Sequence, residues 1–430
     1  MEKENTSKKE RKALPILVFT IFIDMIGFGI ILPIMPLLFA SPASKFYILP
    51  PGTPISYGLL LLGLLIAIYP LMQFIAAPIL GQLSDRHGRK KILAISLFGT
   101  CISYLLFAWG IFTHNIFLLF FSRAFDGITG GNISVAQAGI ADVTPKEHRA
   151  KNFGLIGAAF GLGFILGPFL GGILSNSQIL PWFSDATPFL FAAVLSLANI
   201  ISLLVLLPET LKEKRTHKVE WTKSVHNIVK AFLSKHLKVL FIVLFLFGAG
   251  FTFFTTFFSV YLINKFAFNQ TSIGNFFAYI GIWIAFTQGF ITRKITGKFK
   301  MYNILRVSIL AMGVILFIYL LPNQWWWLLI ITPFFAISNG ITQAFSSALV
   351  SSSVEDNVQG ETLGILSSVM ALSNAIPPII AGLIVSIHPT IPIIVASGLI
   401  ILSWIVFMIF YKPHGGKAGK AEISTESVTH

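Results

Sequence analysis

The chain has 430 residues, 55% hydrophobic and 11% charged, with 31 Lys and Arg against 17 Asp and Glu for a net charge of +14. Soluble domains carry roughly 25% charged residues, so this composition and a mean hydropathy of +0.81 exclude an ordinary soluble protein and point to a multi-pass membrane protein. The positive charge is confined to alternate loops, an orientation signal rather than a nucleic-acid surface, and the single Cys101 excludes an internal disulfide.

A membrane-crossing helix needs about 20 apolar residues. Such runs lie at 14–39, 58–80, 92–112, 116–141, 153–175, 187–207, 239–263, 272–292, 303–321, 326–350, 362–386 and 391–411. Each must be helical, because hydrocarbon offers no partner to an unpaired backbone group. The expected fold is therefore all-α and integral to the membrane, with 12 transmembrane helices in two six-helix bundles. The longest interior polar stretch, 208–236, divides them six and six and has an amphipathic part around Trp221 to Phe232. The expected organisation is an N-terminal bundle at 1–207, a linker at 208–238, a C-terminal bundle at 239–412 and a tail at 413–430.

Lys3, Lys8, Lys9, Arg11, Lys12, Arg86, Arg89, Lys90, Lys91, Lys146, Arg149, Lys151, the linker basics, Arg293, Lys294, Lys298, Lys300, Arg306 and the tail lysines fall on one side. Only Lys45 and Lys265 fall on the other, which predicts cytoplasmic termini. The acidic loop near Glu355, Asp356 and Glu361 does not overturn this, since acids contribute little to orientation.

In chain order, the first helix carries Asp24 within "DMIGFGIILPIMPLL" (24–38). Between helices two and three, "GQLSDRHGRKKIL" (81–93) packs six charged or ionisable side chains into thirteen residues. Gly81 and Gly88 allow close approach and a tight turn. Asp85 can accept bonds from arginines and face the positive end of a helix dipole in the other bundle, while Arg86, Arg89 and Lys90 serve as anion partners. The alternative is a plain topology anchor. Helix four carries Arg123 and Asp126 in "RAFDGITGG" (123–131). With Asp24 these are the only charges deep in the predicted membrane, and such groups are functional candidates by default.

Helix five, "GAAFGLGFILGPFLGG" (157–172), spaces Gly163, Gly167 and Gly171 four apart around Pro168. This spacing lets helices approach closely. Uncharged polar groups inside apolar helices, namely Gln73, Asn132, Gln137, Gln288, Asn339, Gln343 and Asn374, are candidates for a substrate cavity or for interhelical hydrogen bonds. The phenylalanines of "FLFGAGFTFFTTFF" (245–258) suit an aromatic pocket, although most of the 42 phenylalanines are expected to face lipid. The halves echo each other at an offset near 210 residues: "GPFLGG" (167–172) with "PPIIAG" (377–382), Gly130 with Gly340, Gly154 with Gly364. Internal repeats of this kind are a common transporter plan.

The 81–93 loop matches at every constrained position the hallmark loop of the major facilitator superfamily, which the chain resembles also in helix count and central linker. "YPLMQFIAAPILGQLSDRHGRKKIL" (69–93), the helix-four stretch with "IADVTPKEHRAKNFG" (140–154), and the helix-five run look like the drug/proton antiporter branch, nearest the tetracycline/proton antiporters. The likeness is looser in the C-terminal half, in "IWIAFTQGFIT" and "VQGETLGILSSVMALSNAIPP".

That resemblance implies a proton-driven antiporter exporting a small amphipathic compound by alternating access, in a bacterial inner membrane. It needs no cofactor beyond the proton gradient and works as a monomer. It implies proton coupling at Asp24, proton transfer at Arg123, an antiporter motif at Gly163, Gly167, Pro168 and Gly171, and a cavity role for Gln73. A carboxyl in an apolar surround holds a proton more readily than one beside an arginine. Movement of Arg123 relative to Asp24 therefore switches Asp24 between holding and releasing a proton, or else the two form a static pair. Asp126 either neutralises Arg123 or is a second proton site.

The further membrane acids of the tetracycline pumps are replaced by Ser103 and Met312, and their histidine by Ile284, which speaks against recognition of a tetracycline–metal complex. A facilitator or proton symporter for a small metabolite is the alternative. Neither paired protease acids, nor buried histidines, nor a phosphate loop support an enzyme or direct use of ATP.

Overall fold

The computed structural model describes residues 2–42, 44, 47–144, 149–211, 219–234, 237–353 and 359–411. The tail at 413–430, Lys45, Lys146, Glu355, Asp356 and the linker basics at 212–218 lie outside these. The helices are α1 (Glu2–Ile30), α2 (Met35–Phe39), α3 (Ile55–His87), α4 (Arg89–Phe112), α5 (Ile116–Thr129), α6 (Asn132–Val143), α7 (Arg149–Leu174), α8 (Thr187–Leu206), α9 (Lys223–Leu233), α10 (Lys238–Phe266), α11 (Gln270–Phe286), α12 (Thr292–Ile295), α13 (Met301–Ile318), α14 (Trp326–Ser352), α15 (Gln359–Ile384) and α16 (Ile391–Phe410). There are no strands among the described residues.

Among the described residues, eleven helical paths are long and apolar enough to cross a membrane. The twelfth pass is α5 and α6 taken together. Passes alternate in direction, so chain start and chain end share one face, here termed the near face.

Among the described residues, two spans contain non-helical breaks. The first bends at 31–34, between α1 and α2, because Pro33 and Pro36 each remove a backbone donor. The fourth breaks at Gly130 and Gly131, whose ψ angles of 3° and 0° are not helical. A side chain at Gly131 would lie 2.8 Å from Ala77 Cα, so the glycine pair lets α3 approach the break.

Helix packing repeats between the halves. In the first, α1 packs on α7 and α8, α4 on α5 and α8, and α3 on α5. In the second, α10 packs on α15 and α16, α13 on α14 and α16, and α11 on α14. The halves meet where α7 faces α11 and where α3 faces α15, contacts that exchange under the same two-fold relation. The repeat is not uniform, since α14 runs unbroken past Gly340.

Most of the phenylalanine-rich run at 245–258 is packed inside the protein. Phe247, Phe253, Phe254, Phe257 and Phe258 are buried, and the Phe254 ring centre lies 4.4 Å from that of Phe258 and 4.9 Å from that of Phe335, with the rings tilted. Offset and edge contacts at such distances strengthen packing beyond simple burial, which makes this the core of the second half.

Candidate functional site

The ionisable groups of the first and fourth passes meet in one small cavity. Asp24, Arg123, Asp126 and Asn132 line it with Phe28, Tyr69, Thr100 and Tyr104. Its volume open to a water-sized molecule is about 10 Å³, about what a single water needs and far below the ~300–1,000 Å³ of sites that hold drug-sized ligands. In this conformation it has room for water and protons, not for such a cargo.

Arg123 sits one turn before Asp126 on α5, and the pair closes at 2.8 Å with both side chains buried. The guanidinium also lies 4.5 Å from the centre of the Tyr69 ring, close enough for a cation–π contact. Its Nε has no hydrogen-bond partner. Among the described residues no ion pair joins Arg123 to Asp24. Asp126 holds the arginine here, because the i,i+3 spacing offers it a carboxylate on its own helix face.

Asp24 is left with Oδ2 buried and unpartnered. Asn132, at the start of α6, is its neighbouring polar group, yet neither its oxygen nor its nitrogen reaches hydrogen-bonding geometry. Asp24 Oδ2, the Asn132 amide and Arg123 Nε therefore all retain unused bonding capacity. Buried polar atoms in folded proteins are nearly all paired, and exceptions require an explanation.

The aromatic walls escape a reading based on charge and glycine spacing. Tyr69 and Gln73 are one turn apart on α3, and Gln73 donates to Tyr69 Oη at 3.2 Å and to Gly130 O at 2.7 Å. Gln73 thus satisfies a carbonyl at the break in the fourth pass rather than standing open in a cavity. Tyr104 reaches the site because Gly27 has no side chain: a methyl there would lie 2.8 Å from Tyr104 Cζ. The Tyr-x-x-x-Gln spacing was the available signal for Tyr69; nothing comparable marks Tyr104.

The other polar candidates are dispersed. Asn374 on α15 accepts from Thr252 Oγ1 at 2.9 Å. Gln288, in a π-helical turn at Thr287–Ile291, reaches α7, with Oε1 3.4 Å from the side-chain position of Gly157. Asn339 is buried on α14 with Oδ1 unpartnered. Gln137 is half-buried on α6, and Gln343 is exposed.

The charged stretch at 81–93 is mostly helix. Helix α3 continues to His87, and only Gly88, at φ 105°, interrupts it before α4. Positive φ is the one backbone need for glycine in this stretch. A side chain at Gly81 would meet nothing within 4 Å, so the close approach expected there is absent.

Arg89 is the hub of this region. It bonds Asp85 at 2.6 Å, Asp142 of α6 at 2.9 Å and Ser84 Oγ at 2.5 Å. Asp85 therefore pairs within its own half rather than with the other. Glu209, not singled out in the sequence, accepts from the backbone N–H of Arg89 at 2.9 Å and of Lys90 at 3.3 Å. A carboxylate there satisfies orphan donors at the positive end of α4. Lys90 Nζ donates to Leu204 O at 2.8 Å, while Arg86 is exposed.

On α7, Gly163, Gly167 and Gly171 all face α1. Side chains at these positions would meet Met25 C at 3.1 Å, Gly29 Cα at 2.7 Å and Ile30 C at 3.1 Å. Pro168 Cδ fits against Gly29, 2.7 Å from where its side chain would begin. The adjacent face of α7 meets α11 through Gly172 and Gly274.

Comparison with known proteins gives a consistent picture. The profile of the Major Facilitator Superfamily matches residues 17–376. The chain is 31% identical over 379 residues to the class H tetracycline resistance protein of Pasteurella multocida, covering 87% of this chain and 89% of that one. It is 29% identical over 414 residues to the quinolone resistance protein NorA of Staphylococcus aureus, covering 94% and 98%. Among solved structures, the human organic anion transporter MFSD10 superposes with a TM-score of 0.71 at 23% identity, covering 93% of this chain and 99% of that one.

Proposed function

The chain belongs to the major facilitator superfamily, and from that premise we propose that it is a proton-coupled antiporter exporting a small amphipathic compound, drugs included, by alternating access. The observation that carries this reading is the buried, unpartnered Oδ2 of Asp24 beside a buried Arg123–Asp126 pair. Two carboxyls and one guanidinium share one cavity. The guanidinium neutralises one carboxylate, and a bare second charge in a bilayer is costly. A proton on Asp24 removes that cost.

When the transporter turns, movement of Arg123 to a place between Asp126 and Asp24 pairs both carboxylates and releases the Asp24 proton to the side then open; its return to Asp126 lets Asp24 take a proton from the other side. Arg123 is the gate. Tyr69 guides the exchange by offering the guanidinium a π-face. The near face is cytoplasmic, consistent with its basic loops, and the membrane is a bacterial inner membrane. The proton gradient is the energy source, and the monomer is the working unit. The names of the tetracycline and quinolone resistance relatives support drugs as cargo.

The test uses everted vesicles acidified inside, with a pH dye reporting proton escape as tetracycline, a fluoroquinolone, a cationic dye or chloramphenicol is added. Compound-triggered escape that disappears in Asp24→Asn is the expected result. Escape triggered by none of them, with the protein present in the membrane, contradicts drug/proton exchange.

A further inference from the structure

The linker helix α9 is amphipathic in an unusual sense: its small and polar face is the one turned to the protein. Ser224, Asn227 and Ala231 are buried, whereas Trp221, Val225, Val229 and Leu233 are 71%, 58%, 50% and 75% exposed. These four apolar residues recur every four positions and so form one outward stripe. Lys223, His226 and Lys230 are exposed on the same short helix. Residues 208–238 contain eight Lys and Arg against three Glu.

The inner face is bonded to both halves. Ser224 Oγ donates to Phe74 O on α3, a carbonyl that Pro78 leaves without its helical N–H four residues on. Glu220 and Gln82 exchange two hydrogen bonds, at 2.8 and 3.2 Å. Asn227 Nδ2 donates to Ser368 Oγ on α15 at 3.1 Å.

These contacts fall where α3 and α15 diverge. Gly63 and Gly81 on α3, and Gly382 and Gly364 on α15, are each 18 residues apart, about five full turns, and so share a helix face. Far from the termini the helices touch: a side chain at Gly63 would lie 3.0 Å from Gly382 Cα. At the near face, Gly81 and Gly364 have nothing within 4 Å. Helix α9 occupies the splay between them.

Phe74 lies eight residues before Gln82, about 12 Å along the helix axis. Helix α9 and the residues before it thus lie along about two turns of the near-face end of α3, and amphipathic helices at a membrane surface bury their apolar face by about 5–10 Å.

We infer that α9 is a binding surface for the anionic leaflet of the near face, and that lipid bound there wedges α3 and α15 apart. The Trp221–Val225–Val229–Leu233 stripe enters the acyl boundary, and the flanking lysines meet acidic headgroups. Only four residues, 234–237, join α9 to α10. The helix therefore cannot keep both its lipid contact and its place in the splay when α3 and α15 close. Anionic lipid thus binds the splayed state better and shifts the population towards it. The inference rests on the alternating-access part of the proposed function, but its test needs neither cargo nor proton gradient.

The full chain carrying Cys101→Ser, Gly81→Cys and Gly364→Cys, spin-labelled at the two introduced positions, is placed in nanodiscs of phosphatidylcholine with or without phosphatidylglycerol. Pulsed EPR then reads the ratio of long to short distances. Phosphatidylglycerol is expected to raise that ratio about fivefold, the equivalent of one lysine held at an anionic surface. Val225→Asp with Val229→Asp abolishes the response. A separate label at Val229→Cys, on the Cys101→Ser chain, becomes accessible to oxygen and shielded from a water-soluble nickel reagent. A ratio indifferent to phosphatidylglycerol, a response that survives the double substitution, or a Val229→Cys label that stays open to water overturns the inference.

Discussion

At the scale of single residues, the site depends on how one guanidinium is shared. Arg123 and Asp126 are both buried, and removing one partner of a buried pair strands the other charge, at a cost of about 3–5 kcal/mol. Asp126→Ala is therefore expected to lower the detergent melting temperature markedly, and Asp126→Asn, which keeps an acceptor for Arg123, to lower it less. Equal losses from the two would argue against the pairing. Tyr69→Phe retains the ring over Arg123 and is expected to transport nearly as wild type, whereas Tyr69→Leu loses the cation–π contact and slows proton-driven transport. The three charges were legible in the sequence because ionisable side chains inside apolar runs are rare. The i,i+3 spacing of Arg123 and Asp126 also offered their pairing as one reading, but whether Asp24 or Asp126 holds the arginine was decided only by the fold. Tyr104 was illegible for a different reason: aromatic residues make up 14% of this chain, about one for every two helical turns.

At the scale of elements, glycine spacing says which helices approach and not how closely. The contact of α7 with α1 at Gly167 is backbone against backbone, 2.7 Å from where a side chain would begin. Gly167→Ala forces displacement and is expected to destabilise by about 1–3 kcal/mol. Gly161, whose nearest neighbour Ala285 lies at 3.9 Å, should accept alanine with an unchanged melting temperature. Comparable melting curves for the two variants would show that packing at Gly167 is looser than drawn here. The helix count was readable from hydropathy, and the linker helix from its amphipathic pattern. The extent of α3 was misread, because the charges of 81–87 resemble a loop while the backbone continues helical to Gly88. The break at Gly130 and Gly131 was missed as well: two glycines inside an apolar run are compatible with an intact helix until a neighbour such as α3 requires the space.

At the scale of the whole molecule, the two halves touch far from the termini and part at the near face. One sequence must serve both this arrangement and its opposite, so the state itself cannot be read from residue patterns. In a Cys101→Ser background, Gly81→Cys with Gly364→Cys is expected to cross-link poorly under mild oxidation. Ready cross-linking would place the closure at the wrong face. The central claim is that Asp24 exchanges a proton for cargo, and proteoliposomes test it most directly. Uptake of a transported compound is measured with an imposed pH gradient and no membrane potential, and separately as counterflow with no gradient, in wild type and Asp24→Asn. The account predicts that Asp24→Asn loses the gradient-driven uptake and keeps counterflow. Gradient-driven uptake that persists in Asp24→Asn would contradict it.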